Sequence, residues 1–232
     1  MHDTDRGPGE TATAAPERRT ILFDFDGVII RGDAFASFVH VRLKRARWRL
    51  WLALLLALPL LPTLPFTRRP LLRLFVASAL VGLSAASYRT LATAFAAELV
   101  REPGRFHREA LTRLRQHVGA GERVVVVTGC ETVLVEAIFA ELGLSGVEFL
   151  ASRLKPGALG MRVAWHNMGA RKLVALRGAG IASPWDVAYS DSLHDLPMLR
   201  EAREAVLVNA TTKRCRAAEK GLGRTVARVY WY

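Results

Sequence analysis

TILFDFDGVII, Thr20 to Ile30, is the stretch whose reading decides the fold. It opens as a short apolar run ending in acids, which reads as a buried strand. Asp24 and Asp26 follow the run at spacing i, i+2. The elements further along say what kind of sheet the strand joins.

From Glu122 onward the texture alternates. RVVVV (123–127) reads as a buried strand, and ETVLVEAIFAEL (131–142) as a helix stopped by Gly143. VEFLASRL and MRVAW read as two strands of a small antiparallel piece around Pro156–Gly160. ARKLVALRGAG is a short helix, DVAYS (186–190) a strand, and LHDLPMLREA a helix. AVLVN (205–209), the helix TTKRCRAAEKGL and a last strand around TVARVYWY complete the series. Such alternation predicts an α/β fold with a Rossmann-like, mostly parallel sheet and helices on both faces.

Residues 33–118 are almost free of strand signals. Asp33 suits the cap of a helix that starts at Ala34 and runs on to Leu58, before Pro59. Pro59, Pro62 and Pro65 then make LPLLPTLPF an irregular apolar connection. Thr67 offers a cap and Pro70 a first-turn residue for a helix to about Val81. Ser87–Val100 and Pro103–His117 read as two more helices. The expected plan is a core from residues 19–32 and 119–232, with an α-helical cap, 33–118, inserted after the first strand. Residues 1–18 are polar, rich in Gly, Pro, Ala and Thr, and carry no apolar run of a secretory signal; they read as a disordered tail.

Composition narrows the partners. Lys and Arg total 33 against 21 Asp and Glu, a formal net charge of +12, which favours an anionic partner. Cys130 and Cys215 have no metal-ligand spacing and suggest no disulfide framework, a pattern that fits a reducing compartment.

Active sites in doubly wound sheets gather at the carboxyl ends of the strands. Behind the first strand stand Asp24 and Asp26, behind the second Thr128 and Gly129, and behind DVAYS Asp191 with Asp195 four residues on. One carboxylate of an i, i+2 pair can attack phosphorus while the other handles protons. Asp191 adds to an all-oxygen site that suits Mg²⁺ better than zinc. Thr128 and Lys172 would grip phosphate oxygens. Taken singly, each of these residues reads as a turn, a cap or a surface charge. Taken in this order at these strand ends, they read as a site.

FDFDGV, VVVVTG, Lys172 and YSDSLHDLPML resemble the four motifs of the haloacid dehalogenase superfamily of phosphohydrolases, in the phosphoserine-phosphatase-like branch. The resemblance implies Asp24 as a nucleophile that forms an aspartyl-phosphate and Asp26 as the acid and base. It implies Thr128, Gly129 and Lys172 as phosphate ligands, with Arg171 and Lys155 as alternatives to the lysine. It further implies Mg²⁺ held by Asp24, Asp26 through its carbonyl, and Asp191, with Asp195 in support. Cys130 reads as a packed residue rather than a nucleophile.

In that superfamily the insert after the first motif forms a substrate-selecting cap, here with an apolar segment over 48–83. Leu50 to Phe66 is a run of 17 residues cut by prolines, whereas a membrane-spanning helix needs about 20. Basic residues flank it on both sides: Arg42, Lys44, Arg45, Arg47 and Arg49 before, Arg68, Arg69 and Arg73 after. The leading expectation is a wedge in one leaflet, with Trp48, Trp51, Leu54, Leu55, Leu58 and Phe66 as membrane contacts. Core packing ranks second and an oligomer interface third. The plan is similar to that of the phosphatidylglycerophosphate phosphatases of the superfamily. It makes an anionic membrane surface and a lipid phosphate the expected partners, on the cytoplasmic face of the inner membrane, with no nucleic acid. Rival readings are a phosphatase of a small soluble ester and a non-catalytic basic binding module.

Overall fold

The computed structural model describes residues 18–63 and 66–232. The expected tail lies outside the described residues up to residue 17, as do Leu64 and Pro65 of the proline-rich connection. Seven strands form one sheet: β1 (Thr20–Phe23), β2 (Arg123–Glu131), β3 (Val147–Gly157), β4 (Gly160–Trp165), β5 (Trp185–Ser190), β6 (Ala202–Val208) and β7 (Ala227–Val229). Their order is β4-β3-β2-β1-β5-β6-β7. Neighbours run parallel except the β3–β4 hairpin. The α/β, mostly parallel sheet expected from the alternation is therefore present.

Period-2 alternation explains why β1 and β2 sit centrally. Ile21, Phe23, Val124 and Val126 join the apolar cluster on one face, while Leu22, Val125 and Val127 join the cluster on the other. Both faces must then be covered, and helices cover them. From β1 the chain lays β2 and β3 on one side, then crosses to place β5 on the other. That reversal opens a crevice at the carboxyl ends of β1 and β5.

The long first helix expected from Ala34 to Leu58 is instead two: α1 (Ala34–Arg45) and α2 (Arg47–Ala57), broken at Ala46 (φ −119°, ψ 75°). Nothing at Ala46 disfavours helix. The reason is tertiary: the break lays α2 against α3 (Arg69–Leu80) and turns Arg49 inward. Its guanidinium donates to the carbonyls of Ala79 (3.2 Å) and Val81, at a helix end whose last carbonyls need partners. Arg49, expected among the basic flanks, is thus buried. A 3-10 turn, Leu58–Thr63, follows α2 where an irregular connection was expected.

α4 (Ala85–Val100) is capped by Ser84 and packs on α6 (Thr132–Glu141). Tyr88 Oη donates to Glu131 Oε2 at 2.6 Å, and the same carboxylate accepts from Leu134 N at the start of α6. We expect Tyr88→Phe to lower stability by about 1–2 kcal/mol in urea denaturation. An unchanged midpoint would show that this buried bond contributes nothing.

α5 (Arg108–Gly119) begins five residues later than Pro103, where the sequence placed it. Residues before it are taken up by pairing with the β1 loop: Arg31 N donates to Arg105 O (2.8 Å) and His107 N to Ile29 O (3.0 Å). α5 then packs on β2. The remaining helices are α7 (Ala170–Gly178), α8 (Leu196–Arg200) and α9 (Thr212–Leu222). A 3-10 turn, Leu193–Asp195, precedes α8, so LHDLPMLREA is only partly α-helix.

The β3–β4 hairpin tip reaches the end of α3. Gly82 N donates to Leu159 O at 2.8 Å, and a Cβ at Gly160 (φ 134°) would fall 2.4 Å from Leu80 O. Gly160→Ala should therefore push the hairpin off α3 and lower the melting temperature by several degrees. A wild-type melt would mean that the tip contact is dispensable.

Candidate active site

Asp24 leaves β1 at the crevice, where its N–H donates to Tyr189 O of β5 (2.9 Å). Its Oδ1 accepts from Phe25 N (2.8 Å) and lies 3.0 Å from Lys172 Nζ. Lys172, on the first turn of α7, also donates to Asp195 Oδ2 at 2.7 Å. Ser190 Oγ, at the end of β5, donates to that same Asp195 oxygen at 2.8 Å. Asp24, Lys172, Asp195 and Ser190 thus form one buried chain. Arg171 and Lys155 are exposed, and the lysine that touches Asp24 is Lys172.

Burial pushes the Asp24 carboxyl well above its ordinary range; Lys172 opposes the shift, and Asp195 and Asp26 add to it. Burial works against the Lys172 charge, yet Asp24 and Asp195 outweigh it and hold the ammonium above its usual value. Negative charge is in excess around one ammonium.

Asp26 stands two residues on, and its Oδ1 accepts from Ala34 N (2.8 Å) at the start of α1. Burial, then the nearby Asp33 carboxylate, pushes its carboxyl up to about 7. Asp191 follows β5, its carboxyl raised by burial. It lies over the backbone of Gly27 (φ 77°), where a Cβ would come 2.4 Å from Oδ2. Thr128 is fully buried near the end of β2, and its Oγ1 accepts from Cys130 N (2.9 Å). Its hydroxyl hydrogen is therefore left to donate. Cys130 is buried, and burial raises its thiol, a poor setting for a thiolate nucleophile.

Among the described residues, no three acidic, histidine or cysteine side chains converge as metal ligands. The set expected for Mg²⁺ asks for only two carboxylates, Asp24 and Asp191, with the Asp26 main-chain carbonyl. An all-oxygen donor set, raised carboxyls and the side-chain-free surface at Gly27 fit a hard cation.

Sequence reading missed Ser190, and also Ser152 and His166: Ser152 Oγ donates to Gly129 O at 2.7 Å and lies 3.3 Å from His166 Nδ1. Ser190 carried a signal, a hydroxyl as the last residue of a buried strand. Ser152 and His166 carried none. The expected membrane contacts Trp48, Trp51, Leu54, Leu55, Leu58 and Phe66 are all exposed, Phe66 at 90%. From Arg47 to Ala57, Arg49, Ala53 and Ala57 face inward, so core packing accounts for little of the stretch. No helix of the described residues is long and apolar enough to cross a membrane.

Fold and site together define a doubly wound α/β protein with a carboxylate–lysine centre at its switch point. The family is the haloacid dehalogenase-like hydrolases, whose profile matches residues 21–200, and the chain belongs to it. Among solved structures it is similar to a protein of unknown function from Bordetella pertussis Tohama I, at 19% identity and a TM-score of 0.66, covering 90% of this chain and 98% of that one. It is also similar to a phosphoserine phosphohydrolase-like protein from Francisella tularensis subsp. tularensis SCHU S4 (15% identity, TM-score 0.55, 82% of this chain and 87% of that one). A third is a substrate-bound phosphoserine phosphatase (17% identity, TM-score 0.55, 91% and 94%). At these identities the likeness shows the fold.

Proposed function

We propose that the protein is a Mg²⁺-dependent phosphomonoester hydrolase working through an aspartyl-phosphate, and that its substrate is a lipid phosphate such as phosphatidylglycerophosphate. The observation that carries the reaction class is the buried contact of Asp24 with Lys172 and, through it, Asp195. An Asp24 carboxylate oxygen attacks phosphorus, and the bond from phosphorus to the alcohol oxygen breaks as Asp26 protonates that oxygen. Asp26, now a carboxylate, takes a proton from water; the water oxygen attacks phosphorus, releases phosphate and restores Asp24. Lys172 offsets the charge of the phosphate oxygens, and the Thr128 hydroxyl donates to one of them. Asp24, Asp191 and the Asp26 carbonyl would hold Mg²⁺, which supplies further neutralisation of phosphate charge when bound.

Support for the lipid comes from the cap. Trp48, Trp51, Leu54, Leu55, Leu56, Leu58 and Phe66 are exposed beside the exposed basic residues Lys44, Arg47, Arg68 and Arg69. An apolar tip ringed by cations complements an anionic membrane surface, each cation adding about 1 kcal/mol before screening. The surface we assign is the cytoplasmic face of the inner membrane. The test is phosphate release from phosphatidylglycerophosphate in mixed micelles beside phosphoserine, with and without EDTA. Preference for the lipid, lost with EDTA, supports the reading. Preference for phosphoserine would make the substrate a small soluble ester and return the tip to a protein interface. Serine at Leu54, Leu55 and Leu56 together should cut flotation with anionic vesicles severalfold; unchanged flotation would remove the tip from membrane binding.

A further inference from the structure

β2 and β3 pair in register up to Val127 with Leu150, and again at Glu131 with Ser152. Between those pairs β2 places Thr128, Gly129 and Cys130 where β3 has only Ala151. The bulge takes the turn that would grip phosphate out of the ladder. On its other side β1 offers no replacement, because its pairing with β2 stops at Val126. Main-chain groups released in this way need other partners. For the Gly129 carbonyl the partner is the Ser152 hydroxyl, which donates to it at 2.7 Å.

The Gly129 carbonyl and the Cys130 N–H belong to one planar peptide unit and point in opposite directions. Cys130 N donates to Thr128 Oγ1 at 2.9 Å. Ser152 therefore holds one end of a plane whose other end occupies a lone pair of the Thr128 hydroxyl. With that lone pair taken, the direction left to the hydroxyl hydrogen is restricted. Ser152 is itself buried, and its carbonyl accepts from Thr132 Oγ1 at 2.9 Å.

The same Ser152 oxygen faces the segment that carries the lysine. It accepts from Asn167 N (2.9 Å), while Asn167 Nδ2 donates to Leu150 O (2.7 Å). The buried Asn167 is thus tied to β3 by both main chain and side chain. Gly169 (φ 59°) then turns the chain into α7, where Lys172 N donates to Gly169 O (3.0 Å) and Lys172 Nζ meets Asp24.

We infer that Ser152 is a positioning residue, which aims the Thr128 hydroxyl through the Gly129–Cys130 peptide and sets that turn against the segment leading to Lys172. The inference rests on the phosphomonoesterase reading, which gives Thr128 and Lys172 the phosphate. The one proton of Ser152 is committed to Gly129 O, so its effect on the phosphate passes through Thr128.

The test uses the full chain with Mg²⁺, p-nitrophenyl phosphate as substrate and inorganic phosphate as competing ligand. Ser152→Ala should lower kcat/KM roughly tenfold or more and weaken inhibition by phosphate severalfold, since a misdirected donor stabilises the phosphoryl group less. Thr128→Val should cost more. In that background Ser152→Ala should add less than about twofold, as expected of two residues acting through one donor. Ser152→Thr keeps the hydroxyl and should recover most of the loss; Ser152→Cys, close in size but a weak donor, should not. A residue that only stabilised the fold would lower the melting temperature and the active fraction, yet leave KM and the phosphate inhibition constant at wild-type values. Should Ser152→Ala not fold, the comparison of the threonine and cysteine variants carries the test. Wild-type KM and phosphate inhibition in Ser152→Ala or Ser152→Cys, or full additivity with Thr128→Val, overturn the inference. A wild-type protein that hydrolyses none of p-nitrophenyl phosphate, phosphoserine and phosphatidylglycerophosphate overturns the phosphatase reading instead. Ser152 is then judged by calorimetry with inorganic phosphate, where no binding to wild type, or an equal Kd for wild type and Ser152→Cys, overturns its role.

Discussion

Asp24→Asn abolishes turnover, lowering kcat by at least about 10³-fold, because an amide oxygen is a poor nucleophile toward phosphorus. The fold should survive. The amide oxygen still accepts from Phe25 N, and Lys172 keeps Asp195 at 2.7 Å. The native state also raises the Asp24 carboxyl by burial, so removing that charge relieves a desolvation cost. Steady-state phosphate release and a thermal melt on the same preparation check both halves. Activity within tenfold of wild type would take Asp24 out of the nucleophile's place. A collapsed melt would instead make it a structural residue.

Lys172→Met should be damaging in both readouts. It removes the ammonium that stands between Asp24 and Asp195 and leaves two buried carboxylates facing each other. Breaking a buried pair by removing one partner typically costs about 3–5 kcal/mol. Loss of a fixed charge at the phosphate should cost roughly 10²-fold or more in kcat. Lys172→Arg should restore little, since a planar fork does not fit where a point charge with three donors sits between two carboxylates. Denaturant midpoints and kcat across the three proteins separate the effects. Lys172→Met with wild-type kcat would return the phosphate-binding role to Arg171 or Lys155.

These two residues also show how unevenly the site was legible. Asp24, Asp26, Thr128, Asp191 and Asp195 each follow an apolar strand run, so their places come from local patterning and the topology of doubly wound sheets. Lys172 has no such address. It sits on a helix beside Arg171, and chain order alone does not say which cation turns inward. The contact that decides it, with Asp195, spans 23 positions. Ser152 and His166 are further removed, since their neighbours Gly129 and Asn167 meet them only once β2, β3 and the turn after β4 are assembled.

The helices between β1 and β2 divide in the same way. The Asp33 cap, the proline-rich connection and the first-turn Pro70 are signals read within one or two turns of chain, and α1 and α3 begin where those signals stand. The break at Ala46 and the late start of α5 at Arg108 have no local cause. Arg49 reaches across 30 and 32 positions to the end of α3, and His107 pairs with Ile29. Sequence by itself determined the alternating elements, the acids at the strand ends and the apolar stretch between basic flanks. Apolar periodicity, turns and caps act over a few residues, and every residue concerned is in the window. Only the tertiary structure decided which cation meets Asp24, which arginine is buried and which histidine lies beside Gly129. Those are choices between near-equal local options, and contacts between distant segments break the tie.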